Sequence, residues 1–312
     1  MNRLQFGAAI AAALAFAVTN SPAYAHGFAG KRFFPATLQT DDPFVSDELS
    51  LPTVSAFKNG SGSDNPGAWE TDTSIDFSKR ITRDFGLGFG ETWTRIKPSG
   101  GTTQSGFDNL ELNAKYLLLE NDPHEFLFSV GLDAEIGGTG ARRVGADRFN
   151  TFTPSIFFGK GMGDLPDGMA LLKPFAITGV VGLDFPSTSE GTNDDGDVER
   201  HPHVLNTGLA LEYNLGYLQS EVRDVGLGAP FNRLIPLVEF SYQTPLDRGQ
   251  GGQTTGIISP GIIWAGQDYQ VGVEALIPAN ARSGHNVGGI VQLHFFLDDL
   301  FPDSIGKPIF TE

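Results

Sequence analysis

Charged side chains recur at every second position along several stretches of this 312-residue chain. Glu111 and Lys115 share one phase of the run 110–118, and Asp133 and Glu135 share one phase of 126–136. Glu212, Glu239, Glu274 and His294 hold the equivalent phase of four later runs. Residues spaced by two emerge on one face of an extended strand. A low-dielectric wall carrying one sign of charge concentrates counter-ions and repels co-ions. The polar set Glu70, Asp72, Asp76, Arg80, Glu111, Lys115, Asp133, Glu135, Asp184, Glu212, Arg233, Glu239 and Glu274 is mostly acidic, so such a face favours cations. The same carboxylates equally suit pairing with the few bases present, which would only hold neighbouring strands in register.

Other chemistry finds little support. The chain has no cysteine, which excludes disulfides, thiolate metal sites and thiol nucleophiles. Of six histidines, only His294 falls within an alternating run; His124 and His285 fall in links. Nucleophilic catalysis needs a base beside the nucleophile, and no G-x-S-x-G elbow is present. Gly86-x-Gly88-x-Gly90 precedes no helix, so it marks a strand bend or close packing rather than a dinucleotide site. His26 would offer an amine and an imidazole to copper if cleavage exposed it. The acidic loop Asn193–Arg200, followed by His201 and His203, lacks the spacing of a calcium loop. No catalytic residue, metal ligand or cofactor is expected.

The elements that must position these groups are strands. Leu110, Leu112, Ala114, Tyr116 and Leu118 alternate with Glu111, Asn113 and Lys115. Phe126, Phe128, Val130, Leu132, Ala134 and Ile136 alternate with Ser129, Gly131, Asp133 and Glu135. Similar alternation predicts twelve strands near 48–58, 68–82, 85–96, 107–120, 125–137, 149–160, 171–185, 203–217, 231–244, 254–264, 269–278 and 286–298. The first and tenth alternate poorly. Odd-numbered links are polar and mostly long, while even-numbered links include the tight turns 82–84 and 266–268. Two even-numbered links, 159–170 and 218–232, are long and spoil the contrast.

Residues 1–25 read as a secretory signal peptide: Arg3, an apolar run 6–18 too short to span a bilayer, and Ala23-Tyr24-Ala25 before the cut. Losing Arg3 shifts the formal charge from −16 to −17. Nucleic acid is therefore excluded as a partner, because phosphate contacts demand a basic surface. Beyond the leader no run of 18 apolar residues remains, which excludes a helical membrane protein. A barrel strand needs only about 9–11 alternating residues.

The expected fold is all-β: a transmembrane antiparallel up-and-down β-barrel of about 12 strands. The expected divisions are 1–25 signal peptide, 26–47 periplasmic lead or lumen plug, 48–298 barrel and 299–312 periplasmic tail. A soluble sandwich would also alternate. Strand length and aromatics near both strand ends, such as Phe107 with Tyr116 and Tyr213 with Tyr217, favour a membrane barrel. The apolar face would meet lipid, and Glu111, Lys115, Asp133, Glu135, Glu212, Glu239, Glu274 and His294 would line the lumen. Phe157, Val180, Ile235, Leu237 and Phe296 would line a greasy passage or fill it.

The run Gly106-Phe107-Asp108-Asn109-Leu110-Glu111-Leu112-Asn113-Ala114-Lys115-Tyr116 resembles a segment of the outer-membrane proteins grouped as "meta-pathway of phenol degradation" proteins, as does the glycine-alternating strand 86–90. The resemblance implies an outer-membrane barrel passing small, aromatic or apolar molecules, and it transfers no catalytic residue. Expected partners are outer-membrane lipid and lipopolysaccharide, whose phosphates suit Arg142, Arg143 and Arg148, the barrel-assembly machinery, and a small solute. A structural barrel with partner-binding external loops and an outer-membrane lipid-modifying enzyme are the alternatives.

Overall fold

The computed structural model describes residues 27–59, 67–192 and 196–310. The expected signal peptide, His26 and residues 193–195 of the acidic loop lie outside them. Twelve antiparallel strands form one ring: β1 (Glu48–Asn59), β2 (Ala68–Arg80), β3 (Phe85–Pro98), β4 (Leu110–Asn121), β5 (Phe126–Ile136), β6 (Thr151–Gly161), β7 (Phe175–Pro186), β8 (Val204–Tyr213), β9 (Leu234–Pro245), β10 (Thr255–Ala265), β11 (Tyr269–Pro278) and β12 (Gly288–Phe296). Each strand pairs with its neighbours in sequence, and β12 pairs back onto β1. Closure leaves no barrel edge with unpaired backbone groups.

The period-two pattern fixes which face points where. Leu112, Tyr116, Leu132, Val273 and Val291 are exposed on the outer wall, whereas Ser129, Thr178, Glu212 and Glu239 are buried on the inner one. This inverts the soluble pattern and suits hydrocarbon outside. Outward aromatics gather at both rims. Trp93 and Phe107 meet edge to face at 4.8 Å at the rim bearing the longer loops. Phe175 and Tyr213 (4.7 Å), and Trp264 and Tyr269 (5.4 Å), sit at the rim bearing the chain termini.

The poorly alternating strands have structural causes. In β1 the register shifts between Ser50 and Thr53, so the inward phase restarts after Leu51-Pro52. In β10 the inward positions include Ile257 and Ile263, which join an apolar cluster with Leu38 of the segment before β1. An inward face that packs on protein stays apolar, so the contrast between faces disappears.

Several expected strand ends move. Residues 171–172 and 215–217 turn helical rather than extended, and β7 begins at Phe175. The Asn214 side chain accepts from Tyr217 N–H at 2.9 Å and ends β8. Tyr217 is consequently buried at the terminal rim, a correction to its expected place among the membrane-facing aromatics. Arg233 lies in a 3-10 turn before β9, not in a strand, and stands 5.8 Å from the outward Trp264 ring. Residues Gln104–Phe107 pair with the upper part of β3, so β4 begins at Leu110 rather than 107.

Candidate functional site

Residues 27–47 run inside the ring of strands. A buried clamp at the terminal rim holds the start of this segment. Arg32, fully buried, reaches Glu125 Oε2 at 3.1 Å and donates to Pro174 O at 3.0 Å and to Lys173 O. Its guanidinium lies 3.7 Å from the Tyr217 ring centroid, and Tyr217 Oη donates to Glu125 Oε1 at 2.8 Å. Burial, then that hydrogen bond, pushes the Tyr217 phenol up to about 12, so it stays a donor. Glu125, Lys173, Pro174 and Tyr217 belong to three different turns. The long links 162–174 and 214–233 are thus long because they embrace this segment.

Above the clamp, backbone N–H groups of Leu38, Gln39 and Thr40 converge on the Glu239 carboxylate, with Leu38 at 2.7 Å and Thr40 at 2.6 Å. Three successive donors on one carboxylate form an anion cradle turned inward, with the anion supplied by the barrel wall. The chain then descends. Lys115 Nζ bonds Asp41 Oδ1 at 2.8 Å and Asp42 O at 2.7 Å, and lies 4.6 Å from the Phe157 ring centroid. Ser129 Oγ donates to Pro43 O. Asp47, buried, receives Lys79 Nζ at 2.5 Å and Arg80 Nε at 2.8 Å before β1 begins.

Space inside the barrel narrows in steps. A chamber of 780 Å³ opens toward the loop rim, walled by Glu111, Asp133, Asn206, Gln243, Phe57 and Leu276, with Gln39 also at its wall. A second space of 480 Å³ shares Gln39, Glu111 and Asp133 with it and adds Asp41, Lys115 and His294. Glu135 and Asp184 line a side recess of 270 Å³ that again includes Glu111 and Asp133. Between residues 41–46 and strands β2–β4 only 40 Å³ remains, room for about three waters at most.

Of the eight expected lumen residues, Glu111, Lys115, Asp133, Glu135 and His294 surround these spaces. Glu212, Glu239 and Glu274 face inward as well but line none of these spaces, and they are buried, as His294 is. Glu239 fastens the inner segment, Glu212 lies 3.4 Å from Thr178 Oγ1, and Glu274 leans over Gly261. Sequence reasoning missed Arg32, Asp41, Asp42, Asp47, Glu125 and Tyr217. The available signals were the pair of over-long turns and the Phe-, Pro- and Asp-rich run 26–47 that shows no alternation.

The glycines at 86–90 face inward and make room. A Cβ on Gly88 would sit 2.6 Å from Asn113 Oδ1 and 2.7 Å from Phe77 O, and one on Gly86 would touch Val45 at 3.0 Å. Close packing inside the barrel, rather than a bend, accounts for them.

His294 has a partner not foreseen: Ser50 Oγ lies 2.9 Å from its Nδ1. Glu48 Oε2 stands 3.6 Å from its Nε2, beyond hydrogen-bond reach. In the external links, Arg143 Nε donates to Ser105 O at 2.5 Å, and His201 stacks on Phe149 at 3.9 Å. Among the described residues no group of three metal-ligating side chains is gathered.

A closed twelve-stranded barrel with an apolar outer wall and two aromatic belts is the fold of a bacterial outer-membrane protein. The fold is similar to the COG4313 outer membrane channel from Pseudomonas putida F1, with a TM-score of 0.59 at 12% identity over 85% of this chain and 99% of that one. The NanC porin (TM-score 0.48, 10% identity) and the KdgM porin (0.46, 12%) each align over 79% of this chain and 98% of theirs. No family model and no curated protein matches the sequence.

Proposed function

We propose that the protein is a passive outer-membrane channel for small solutes, with an acidic lumen narrowed by its own N-terminal segment. The observation that carries this reading is the connected series of inner spaces, 780 then 480 then 40 Å³, with Glu111 and Asp133 along the wider part. A barrel built only as a scaffold has no need of an unfilled, charge-lined interior. The terminal rim, which carries the tightest turns, faces the periplasm by the rule that external loops are longer. The resemblance of residues 106–116 to the phenol-degradation barrels supports a small, aromatic or apolar solute.

Residues 27–47 act as the constriction. The 40 Å³ left beside the segment is far smaller than the chambers above it, so displacing the segment would widen the path. Planar-bilayer conductance and liposome swelling test the reading. The intact protein should conduct weakly, and a variant lacking residues 27–47 should conduct more. Unchanged conductance after that deletion, in a variant that keeps the gel mobility of a folded barrel, removes the plug. A purified barrel that neither conducts nor speeds swelling removes the channel.

The Ser50–His294 hydrogen bond is the one observation favouring a hydrolytic reading. It falls short on geometry, because Glu48 Oε2 stands 3.6 Å from Nε2 rather than at hydrogen-bond distance and Ser50 is buried inside the lumen, away from lipid. A serine-directed fluorophosphonate should leave Ser50 unlabelled.

A further inference from the structure

The 780 Å³ chamber has two unlike walls. Glu111 on β4 and Asp133 on β5 enter it with no ion-pair partner among the described residues. Glu111 stands directly across the strand pair from Glu135, and Asp133 directly across from Asn113. Like charges facing each other across a ladder destabilise it, so a site that keeps them is built for something other than stability. The facing wall carries neutral groups, Asn206, Ser241 and Gln243. Between them, on β10, β11 and β1, lies an apolar patch of Phe57, Ile257 and Leu276. The chamber's one base, Arg282, is exposed at the rim, where solvent screens it.

We propose that this chamber binds a small organic cation, an amine whose charge rides against Glu111 and Asp133 while its apolar body covers Phe57, Ile257 and Leu276. The proposal rests on the channel reading above and names its solute class. A bare metal ion is a poor fit, since it needs several oxygen ligands at about 2.3–2.6 Å and would leave the apolar patch wet. An anion meets two carboxylates. A neutral apolar molecule would strip water from those carboxylates without replacing it. The volume lies within the range of about 300–1,000 Å³ usual for sites that enclose small molecules.

The test uses the full-length protein in detergent and in planar bilayers, with benzylammonium, benzyl alcohol, benzoate and potassium as probes. Benzylammonium should bind at least about tenfold more tightly than benzyl alcohol, the effect of one partly screened ion pair. It should also block the potassium current at a correspondingly lower concentration. In the double variant Glu111→Gln, Asp133→Asn the two aromatic probes should converge. In Leu276→Ser both should weaken together while the preference for the amine survives. Gel mobility of the folded barrel checks each variant. If potassium flows and benzylammonium neither binds nor blocks better than benzyl alcohol or benzoate, the organic-cation site is wrong and the channel reading stands. If no current flows but calorimetry shows the tenfold preference, the site stands and the channel reading falls.

Discussion

The segment 27–47 meets two unlike walls. Against β9–β12 it is sealed. Leu38 packs with Ile235, Leu237, Ile263 and Ile290, and the Glu239 carboxylate takes three of its backbone N–H groups. Against β2–β4, before Asp47 anchors its end to Lys79 and Arg80 of β2, it is more loosely held. There the wall is Ser78, Gly86, Asn113 and Lys115, and the polar contacts are the Lys115 ion pair to Asp41, a side chain about half exposed, and the Lys115 bond to Asp42 O. The sealed side shows how a barrel keeps a foreign strand of its own chain in place, with apolar area plus donors that have nowhere else to go. The open side shows where something else can pass.

The largest expected effect breaks the sealed side. Glu239→Ala leaves three N–H groups without their acceptor, and losing charge-assisted bonds at buried donors costs about 3–5 kcal/mol in all. The thermal unfolding midpoint in detergent should fall, and conductance should rise as the segment loosens. The matching change on the open side, Lys115→Met, removes a pair to a half-exposed carboxylate together with the bond to Asp42 O, and should cost less, about 1–2 kcal/mol. Equal losses from the two variants would erase the distinction between the walls.

A smaller effect concerns charge alone. Asp133→Asn with Glu135→Gln should lower the preference for cations, read as a reversal potential moving toward zero in a potassium chloride gradient. Unchanged selectivity would show that these carboxylates only pair and hold register. Smaller again is Gly86→Val. The added side chain must displace Val45, now 3.0 Å from where its Cβ would stand, and should cut the residual conductance of the intact protein at a stability cost of about 1–3 kcal/mol. An unaffected current would put the path elsewhere than along the glycines.

The barrel was legible because its signal is local. Alternation between lipid and lumen writes itself into each strand, and all twelve strands lie where the sequence placed them, with shifts at helical turns such as the one Asn214 caps. The inward orientation of Glu111, Asp133 and His294 follows from the same phase. What stayed hidden depends on the route of the lead segment. Nothing local in Arg32 says that it will bridge three turns, and nothing in Glu239 separates it from Glu111, although one is sealed and the other faces open space. Ser50 eluded the pattern because a register shift follows it. The poor alternation of β10 was itself information, marking the wall on which another segment lies.

The smallest effect lies above both walls. His203 donates from its backbone to Asp247 Oδ1 at 2.9 Å, and its Nδ1 meets Oδ2 at 2.6 Å, joining the β7–β8 and β9–β10 loops. The side-chain bond first, then the backbone one, holds the Asp247 carboxyl below the usual carboxylate range. For a carboxylate lowered in the folded protein, the stabilising contribution is complete above its unfolded value of about 3.9 and is lost as pH falls through the lower folded value. Protonation of Asp247 should therefore loosen these loops only below about pH 4. Current flicker should rise there in the wild type, and Asp247→Asn should flicker at every pH without any change in ion selectivity, because Glu111 and Asp133 stand on other strands. Flicker that rises with acid alike in Asp247→Asn and the wild type would mean that this latch does not hold the loops. A shift in selectivity would mean that the loops, rather than the acidic wall, choose the ion.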